Sequence, residues 1–345
     1  MRIGYAPYDA SLDAPGDRRR FVAWAQDRQI EFEVLDAPRP DIDVAVVCTA
    51  ADLTRWHQAP AGIRLIYDIT DDYLGLPDGG WKNRGRGVAK FLSGELSRPT
   101  LRYRDLMVET CRRADVVVCT SASQREHVLE AAGGKDVRII LDCYDADWAG
   151  GKRDYSSSGS PRIAWEGLPF NVHTLSVVRE PLEQLPAALQ PSVHIVTPPT
   201  FRPYARRFGR RSTGTIADQA LPGTETVVHP WERATVADIV AGCDVAIIPL
   251  PLRDDFAAGK SAQKLISLWA LGMPVITSAT PAYEQAMSAA GLDLACRTPA
   301  DWTRALTSLL SDEQARRDAA EAGRRYVERC ASREIMLARW DDVLL

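Results

Sequence analysis

The 345-residue chain has no apolar run approaching the roughly 18 residues that a membrane-spanning helix needs, and its start, MRIGYAPYDA, meets charge almost at once. Neither a spanning segment nor a secretory leader is expected. A large charge of one sign is missing too: 42 basic against 46 acidic side chains leave −4, too little to attract nucleic acid to the molecule as a whole. The seven cysteines (Cys48, Cys111, Cys119, Cys143, Cys243, Cys296, Cys330) are odd in number, scattered, and free of any C-x-x-C pair. That argues against a disulfide framework and for buried thiols in a reducing, cytoplasmic compartment. The five histidines are isolated, with no H-x-x-x-H spacing, so no metal centre is expected. Lysine is the scarcest charge, six against thirty-six arginines, yet Lys260 and Lys264 fall within one helical turn's length of each other.

What is present is an ordinary globular composition, 46% hydrophobic and 26% charged, on a chain long enough for two cores. Short β-branched segments alternate with longer amphipathic ones, the pattern of βα units that feed buried parallel strands. Strands are expected at 2–6, 30–35, 44–48, 65–69, 116–120 and 137–141, and again at 163–166, 193–197, 226–229, 245–249, 275–277 and 294–296. Between the two sets, 147–162 (DWAGGKRDYSSSGSPR) loses apolar content and gains Gly, Ser and charge. The expectation is therefore an α/β chain of two Rossmann-like, doubly wound parallel-sheet domains facing across a cleft. Residues 1–148 form the first, 149–161 a linker and 162–330 the second, with a final helix over 331–345 able to pack back on the first. Loops at the carboxyl ends of the strands are where such domains hold ligands.

The most informative window is 244–280, DVAIIPLPLRDDFAAGKSAQKLISLWALGMPVITSAT. A buried strand ending at Pro249 leads to an acidic, glycine-bearing loop, then Gly259-Lys260-Ser261, a helix expected over 261–271, and a second strand. Free N–H groups at that helix start would make an anion site, with Lys260 and Lys264 on one face and Gly259 letting a phosphate approach the main chain. It is not a Walker loop, because Asp254 stands where that motif needs glycine. Gly272 is expected to end the helix.

This window resembles the nucleotide-binding segment of GT-B glycosyltransferases. Asp244-Val245-Ala246-Ile247-Ile248-Pro249 is similar to the family's D-[VI]-x-[IL]-x-P strand, and Lys264 through Ala270, Gly272, Pro274 and Val275 to its K-x-x-E-x-x-A-x-G-x-P-V helix and turn. The family's two glutamates eight positions apart, which hold the donor's sugar and ribose, fall here on Gly259 and Ser267. Ile163-Ala164-Trp165-Glu166-Gly167 with Asn171 resembles the first donor-domain strand, whose turn faces the diphosphate. Val227-Val228-His229-Pro230-Trp231 resembles the segment around the base, although Trp231 could equally be an aromatic packed at a strand end. In the first half, Tyr67-Asp68-Ile69-Thr70-Asp71-Asp72-Tyr73 is similar to the Y-D-x-x-D-D strand ending of bacterial sugar transferases.

The resemblance implies a glycosyltransferase that moves a sugar from a nucleotide-diphosphate sugar to a glycan or lipid-linked glycan, with no resident cofactor and no metal ion. Nucleotide-sugar 2-epimerisation, or an inactive GT-B binding module, are the alternatives. Carboxylates crowded at a strand end can act as acid or base, so Asp68, Asp71 and Asp72 are the catalytic candidates, unless Asp68 caps the next segment or Asp72 is merely solvated. Gly167, Asn171, His229, Trp231, Gly259, Lys260, Ser261 and Lys264 are the donor candidates. Asp17 is expected to cap a helix whose Arg18 or Arg19 reaches a phosphate or acceptor, full solvation of Arg18, Arg19 and Arg20 being the alternative; Arg202 is a further phosphate candidate, with Arg206 and Arg207 beside it. The basic stretch 81–104, carrying Trp81, Lys82, Arg84, Phe91 and Leu92, reads as a solvated loop, with a mobile acceptor loop or a peripheral contact with anionic lipid on the inner face of a membrane as the alternatives. Donor base, acceptor, stereochemical course and oligomeric state stay open.

Overall fold

The computed structural model describes residues 1–76, 81–145, 148–157, 159–202 and 209–345, with the side chains of 81–84 and 258 excepted. Arg206, Arg207 and the side chains of Trp81, Lys82 and Arg84 thus lie outside the described residues. The chain divides into two compact units. Unit 1 comprises Met1–Cys143, Gly259–Ala262 and Ala331–Leu345; unit 2 comprises Tyr144–Ala258 and Gln263–Cys330.

Unit 1 is built on six parallel strands: β1 (Ile3–Ala6), β2 (Phe32–Val34), β3 (Val44–Cys48), β4 (Arg64–Asp68), β5 (Val116–Cys119) and β6 (Asp136–Ile139), in the spatial order β2-β1-β3-β4-β5-β6. The central strands β3 and β5 are apolar throughout, and β4 is apolar between its end residues Arg64 and Asp68, because both faces are covered, and side chains alternate between two cores. Ala45, Val47, Leu65, Tyr67, Val117 and Cys119 point into one; Val44, Val46, Ile66, Val116 and Val118 point into the other. The second core also holds Phe21, Val22 and Trp24 of the helix Phe21–Asp27, and Met336, Leu337 and Trp340 of the final helix, Arg333–Leu344. That helix is anchored by Asp341, which accepts from Trp24 Nε1 at 2.8 Å and pairs with Arg28 at 2.6 Å.

The stretch 81–104, read as a loop, contains a helix over Trp81–Leu92. Two glycines, at 85 and 87, weaken its helical signal. Gly87 is required by packing, since a Cβ there would stand 2.2 Å from the Thr100 carbonyl oxygen. Arg86 lies over the Tyr73 ring at 3.8 Å and ties this helix to the segment after β4.

Unit 2 carries β7 (Arg162–Glu166), β8 (Ser192–Val196), a two-stranded antiparallel ribbon of β9 (Thr200–Phe201) and β10 (Arg211–Ser212), then β11 (Thr226–His229), β12 (Val245–Ile248), β13 (Val275–Ser278) and β14 (Ala295–Cys296). Its six-stranded parallel sheet runs β11-β8-β7-β12-β13-β14. Gly272, at φ +88°, ends the helix Gln263–Leu271 in the left-handed conformation that glycine adopts freely. Within residues 148–157, Lys152 is buried and donates to the carbonyls of Ala241 (3.0 Å) and Cys243 (2.7 Å), and Tyr155 donates to that of Gly272 (2.9 Å).

Candidate functional site

In unit 2 the strand order reverses at β7, which has β8 on one side and β12 on the other, so the crevice beyond the carboxyl ends of β7 and β12 is the expected ligand position. β7 ends in Glu166 and is followed by Gly167. Lys264, from the first turn of the helix Gln263–Leu271, bonds the Glu166 main-chain carbonyl and stands 3.0 Å from the carboxylate, with its ammonium 5.8 Å from the centre of the Trp165 ring. Trp231 Nε1 donates to the other Glu166 oxygen at 3.1 Å. A side chain at 167 would not fit: its Cβ would lie 2.9 Å from the Trp165 ring and 3.2 Å from the Lys264 nitrogen. Gly167, Lys264 and Trp231, far apart in sequence, thus converge on one carboxylate. Glu166 organises the group and was named only as part of a strand; its position as the last strand residue before glycine is the signal that could have marked it.

The two lysines do not share a helix face. The helix begins at Gln263 rather than 261, so Lys260 precedes it, and Gly259–Ala262 belongs to unit 1 by its contacts. Lys260 Nζ lies 3.2 Å from Asp71 Oδ1. Four-residue spacing brings side chains together only where the backbone is already helical, and here it is not. Gly259 and Ser261 are half-buried in this segment, while Ser267 is buried in the helix and receives a long contact, 3.5 Å, from Gln263 Nε2.

His229 is turned toward β8, where its Nε2 lies 2.9 Å from His194 Nδ1 and the rings stack at 5.1 Å. Burial, followed by the His229 charge, holds the His194 imidazolium below the usual histidine range. Asn171 sits half-buried in a 3-10 stretch, Pro169–Val178, its N–H bonded to the Leu168 carbonyl at 2.9 Å. Arg202 is exposed; with Arg211, Phe170 and Phe201 it lines a surface cavity of about 500 Å³.

In unit 1 the carboxylates of the Tyr67–Tyr73 segment separate into three roles. Asp68 closes β4 with the same parity as Ile66, so its side chain enters the second core and is fully buried. There it receives Nε and Nη2 of Arg20, which also reaches Asp142 Oδ1 at 2.6 Å and the Ile140 carbonyl at 2.8 Å. Asp68 is thus buried at the sheet end and bound by Arg20. Burial, partly offset by Arg20, raises the Asp142 carboxyl above its usual range. Arg20, neither solvated nor chosen over Arg18 and Arg19, is the buried member of the triplet, and the unbroken apolar run Phe21–Ala25 behind it is the clue. Arg18 bonds the Asp13 carbonyl, and the main-chain oxygen of half-buried Arg19 accepts from Cys143. Asp17 does not cap a helix. It lies inside the short helix Pro15–Arg18, where its carboxylate accepts from Tyr5 OH (2.6 Å), Tyr8 N (2.9 Å) and Asp9 N (3.2 Å).

Asp72 is buried and bonds His127 Nδ1 at 2.7 Å, leaving an imidazole that is 37% exposed. Gly75 makes this approach possible, since a Cβ there would lie 2.5 Å from that nitrogen. Asp71, 35% exposed, faces Lys260 and takes a weak contact from Tyr73 OH at 3.4 Å, while its carbonyl accepts from Gln124 Nε2 at 3.1 Å. Burial, then Asp71, pushes the Tyr73 phenol up to about 12. The pairing of His127 with Asp72 went unseen in the sequence, because 55 residues separate them. Among the described residues, no three His, Cys, Asp or Glu side chains gather as metal ligands, and no helix is long and apolar enough to cross a membrane.

No protein-family model matches the chain, and no curated protein matches it by sequence. Solved structures do match. Anabaena HepE in complex with UDP superposes with a TM-score of 0.65 at 12% identity, covering 100% of this chain and 99% of that one. WaaG, described as a glycosyltransferase involved in lipopolysaccharide biosynthesis, gives 0.59 at 12%, covering 99% of each chain. S. aureus TarM, solved with fondaparinux, α-GlcNAc-glycerol and UDP, gives 0.58 at 7%, covering 87% of this chain and 55% of that one, so the chain spans about half of TarM's length. Two six-stranded parallel sheets with helices, matched from end to end by HepE and WaaG, give this chain the GT-B fold.

Proposed function

We propose that the chain is a glycosyltransferase that takes a sugar from a nucleotide-diphosphate donor and passes it to a hydroxyl of a glycan or lipid-linked glycan. The observation that carries this reading is Lys264 held by Glu166 across Gly167, at the strand-order reversal of unit 2. A lysine in that place meets the charge that builds on the diphosphate oxygen as its bond to the sugar breaks. Glu166 fixes the ammonium, and Trp231 fixes Glu166, so little reorganisation is needed when the anion arrives. Gly167 leaves main chain accessible beside the ammonium. Two of the matched structures, HepE and TarM, were solved with UDP, which supports a nucleotide ligand.

The charge on Lys264 does the work a divalent cation would do, and metal independence belongs to the proposal. In unit 1, Asp71 is the carboxylate left accessible once Asp68 and Asp72 are engaged, and its role is to orient or deprotonate the acceptor hydroxyl. A cytoplasmic enzyme meeting its acceptor at a membrane surface fits the same reading.

The test is thermal denaturation with a panel of nucleoside diphosphates, for the native chain and Lys264→Ala. A ligand at 100 times its Kd stabilises by about 2.7 kcal/mol. Loss of one charge-assisted bond, about 1.5–3 kcal/mol, should weaken binding at least tenfold in the variant. If no diphosphate stabilises the chain, or if Lys264→Ala keeps the whole effect, the assignment is wrong. Binding without transfer or hydrolysis over a broad donor and acceptor panel would instead identify a binding module, as the absence of acid at Gly259 and Ser267 allows.

A further inference from the structure

The surface cavity of about 500 Å³ in unit 2 is lined by pairs of residues, and each pair is aimed by the geometry of its own element. In the 3-10 stretch Pro169–Val178, Phe170 and His173 are three apart, one full turn, and so lie on one face. In the helix Thr213–Ala220, Ile216 and Gln219 share a face at the same spacing. Across the β9–β10 ribbon, Phe201 and Arg211 stand directly opposite each other, and opposed residues point to the same side. Arg202 completes the lining. The volume lies in the range of small-ligand sites.

The walls are fixed by bonds outside the lining. Arg179, directly after the 3-10 stretch, donates to the carbonyls of Gln219 at 2.7 Å and Ala220 at 2.9 Å, which holds that stretch against the helix. Thr213 donates its hydroxyl to the Pro198 carbonyl at 2.6 Å and its N–H to that of Pro199 at 2.9 Å. Arg210 donates to the Thr200 hydroxyl at 2.9 Å, so the ribbon is tied both to the helix start and across itself. The His173 ring is set by its Nδ1, which donates to the Phe170 carbonyl at 2.8 Å.

No carboxylate belongs to these walls. The 3-10 stretch and the segment 197–212 contain no acidic residue, and the helix has one, Asp218, which accepts from the Thr226 hydroxyl at 3.2 Å instead. Among the described residues no ion pair engages Arg202 or Arg211, and both are exposed. The guanidinium fork matches a phosphate bidentately. Around the two cations the surface is apolar: Phe170 is 38% exposed, and Leu168, two residues earlier, is 57% exposed and carries the apolar side past the rim. Apart from the arginines, only the Gln219 amide and the His173 ring can meet the polar edge of a nucleobase, so a hydrocarbon body suits the cavity better than a nucleoside.

We propose that this cavity binds a lipid phosphate, its hydrocarbon chain against Phe170, Phe201 and Ile216 and its phosphate on Arg202 and Arg211. Such a group arrives either on a single-chain carrier or as the headgroup of an anionic bilayer. The site goes beyond the transfer reading, since no wall residue belongs to the group around Glu166.

Isothermal titration of the full chain tests it with three soluble probes: geranyl phosphate, geraniol and inorganic phosphate. Geranyl phosphate should bind at least about tenfold more tightly than either of the others, and more weakly as salt is raised. Arg211→Glu should weaken it at least about tenfold, and Gln219→Trp should abolish binding by filling the cavity; both positions are exposed, so the melting temperature should stay close to native. Equal affinity for inorganic phosphate and geranyl phosphate, no binding of geranyl phosphate, or binding unchanged in Arg211→Glu would overturn the proposal. Sedimentation with phosphatidylglycerol vesicles then separates the sources: co-sedimentation lost in Arg211→Glu assigns the cavity to a bilayer headgroup, and its absence in the native chain assigns the cavity to a single-chain carrier. The two readings fail separately. Nucleoside diphosphate stabilisation that is lost in Lys264→Ala and kept in Gln219→Trp upholds the transferase whatever geranyl phosphate does, and geranyl phosphate binding kept in Lys264→Ala upholds this site whatever the diphosphates do.

Discussion

Arg20→Met is the sharpest perturbation the structure offers, because it removes a cation from a fully buried cluster while keeping most of its volume. Arg20 donates twice to Asp68, once to Asp142 and once to the Ile140 carbonyl, and both Arg20 and Asp68 are 0% exposed. Deleting one partner of a buried pair costs about 3–5 kcal/mol, since the opposite charge is left without compensation. Against a total stability of about 5–15 kcal/mol, that is a third or more of what holds a domain folded. Trp340, whose ring centre lies 6.0 Å from the Arg20 guanidinium carbon, together with Trp24, reports the loss as fluorescence during urea unfolding. The loss should also depend on pH. Burial already raises the Asp142 carboxyl, and without Arg20 it rises further. A carboxyl whose folded pKa exceeds its unfolded one binds more protons when folded, so stability is retained below the unfolded pKa and declines as pH climbs through the folded one. The variant should therefore lose most at pH 7 and recover part of the deficit near pH 5. Adding Asp68→Leu should restore some stability at pH 7, with a coupling of about 2 kcal/mol or more between the two sites. A single-variant loss under about 1 kcal/mol, typical of exposed ion pairs, would refute the claim that this cluster supports the sheet end.

Gly75→Ala should destabilise by about 1–3 kcal/mol, because its Cβ would fall within 2.6 Å of two His127 ring atoms and 2.8 Å of Asp72 Oδ2. The His127 ring proton resonances should shift in the same variant, and an unchanged melting temperature with unchanged resonances would show that the turn has room to spare. For the stacked histidines the sign is opposite to that of Asp142. Burial lowers the folded His194 pKa, so its contribution is present above the unfolded value of about 6.5 and is lost as pH falls below it. Unfolding free energy, measured by urea denaturation, should drop between pH 7 and pH 5 with a slope of at most about 1.4 kcal/mol per pH unit for this one proton, and His194→Asn should flatten that part of the curve.

Sequence reasoning reaches the strands and stops at the side-chain pairings, and particular residues show why. Val44–Cys48 and Val116–Cys119 are legible because burial on both faces writes an unbroken apolar run into the chain, a purely local signal. Gly167 and Lys264 were legible as separate strand-end and helix-start features, but their common partner Glu166 is 98 residues from Lys264, a separation no periodicity encodes. The helix start was misplaced by two residues because Ser261 and Ala262 are as compatible with a helix as with a turn. Lys260 instead meets Asp71, 189 residues away, and both belong to unit 1. The same logic governs the carboxylates. Asp68, Asp71 and Asp72 are near-equivalent in the sequence, yet strand parity buries the first under Arg20, a turn closed by Gly75 commits the second of the adjacent pair to His127, and only Asp71 is left accessible. All three carboxylates have partners, and what separates them is burial, Asp71 alone of the three keeping about a third of its side chain exposed. A motif can locate such a cluster but does not show which member stays exposed; under the proposed transfer reading Asp71→Asn, at the half-exposed carboxylate, rather than a change at buried Asp68 or Asp72, is the substitution expected to lower transfer while leaving the melting temperature close to native.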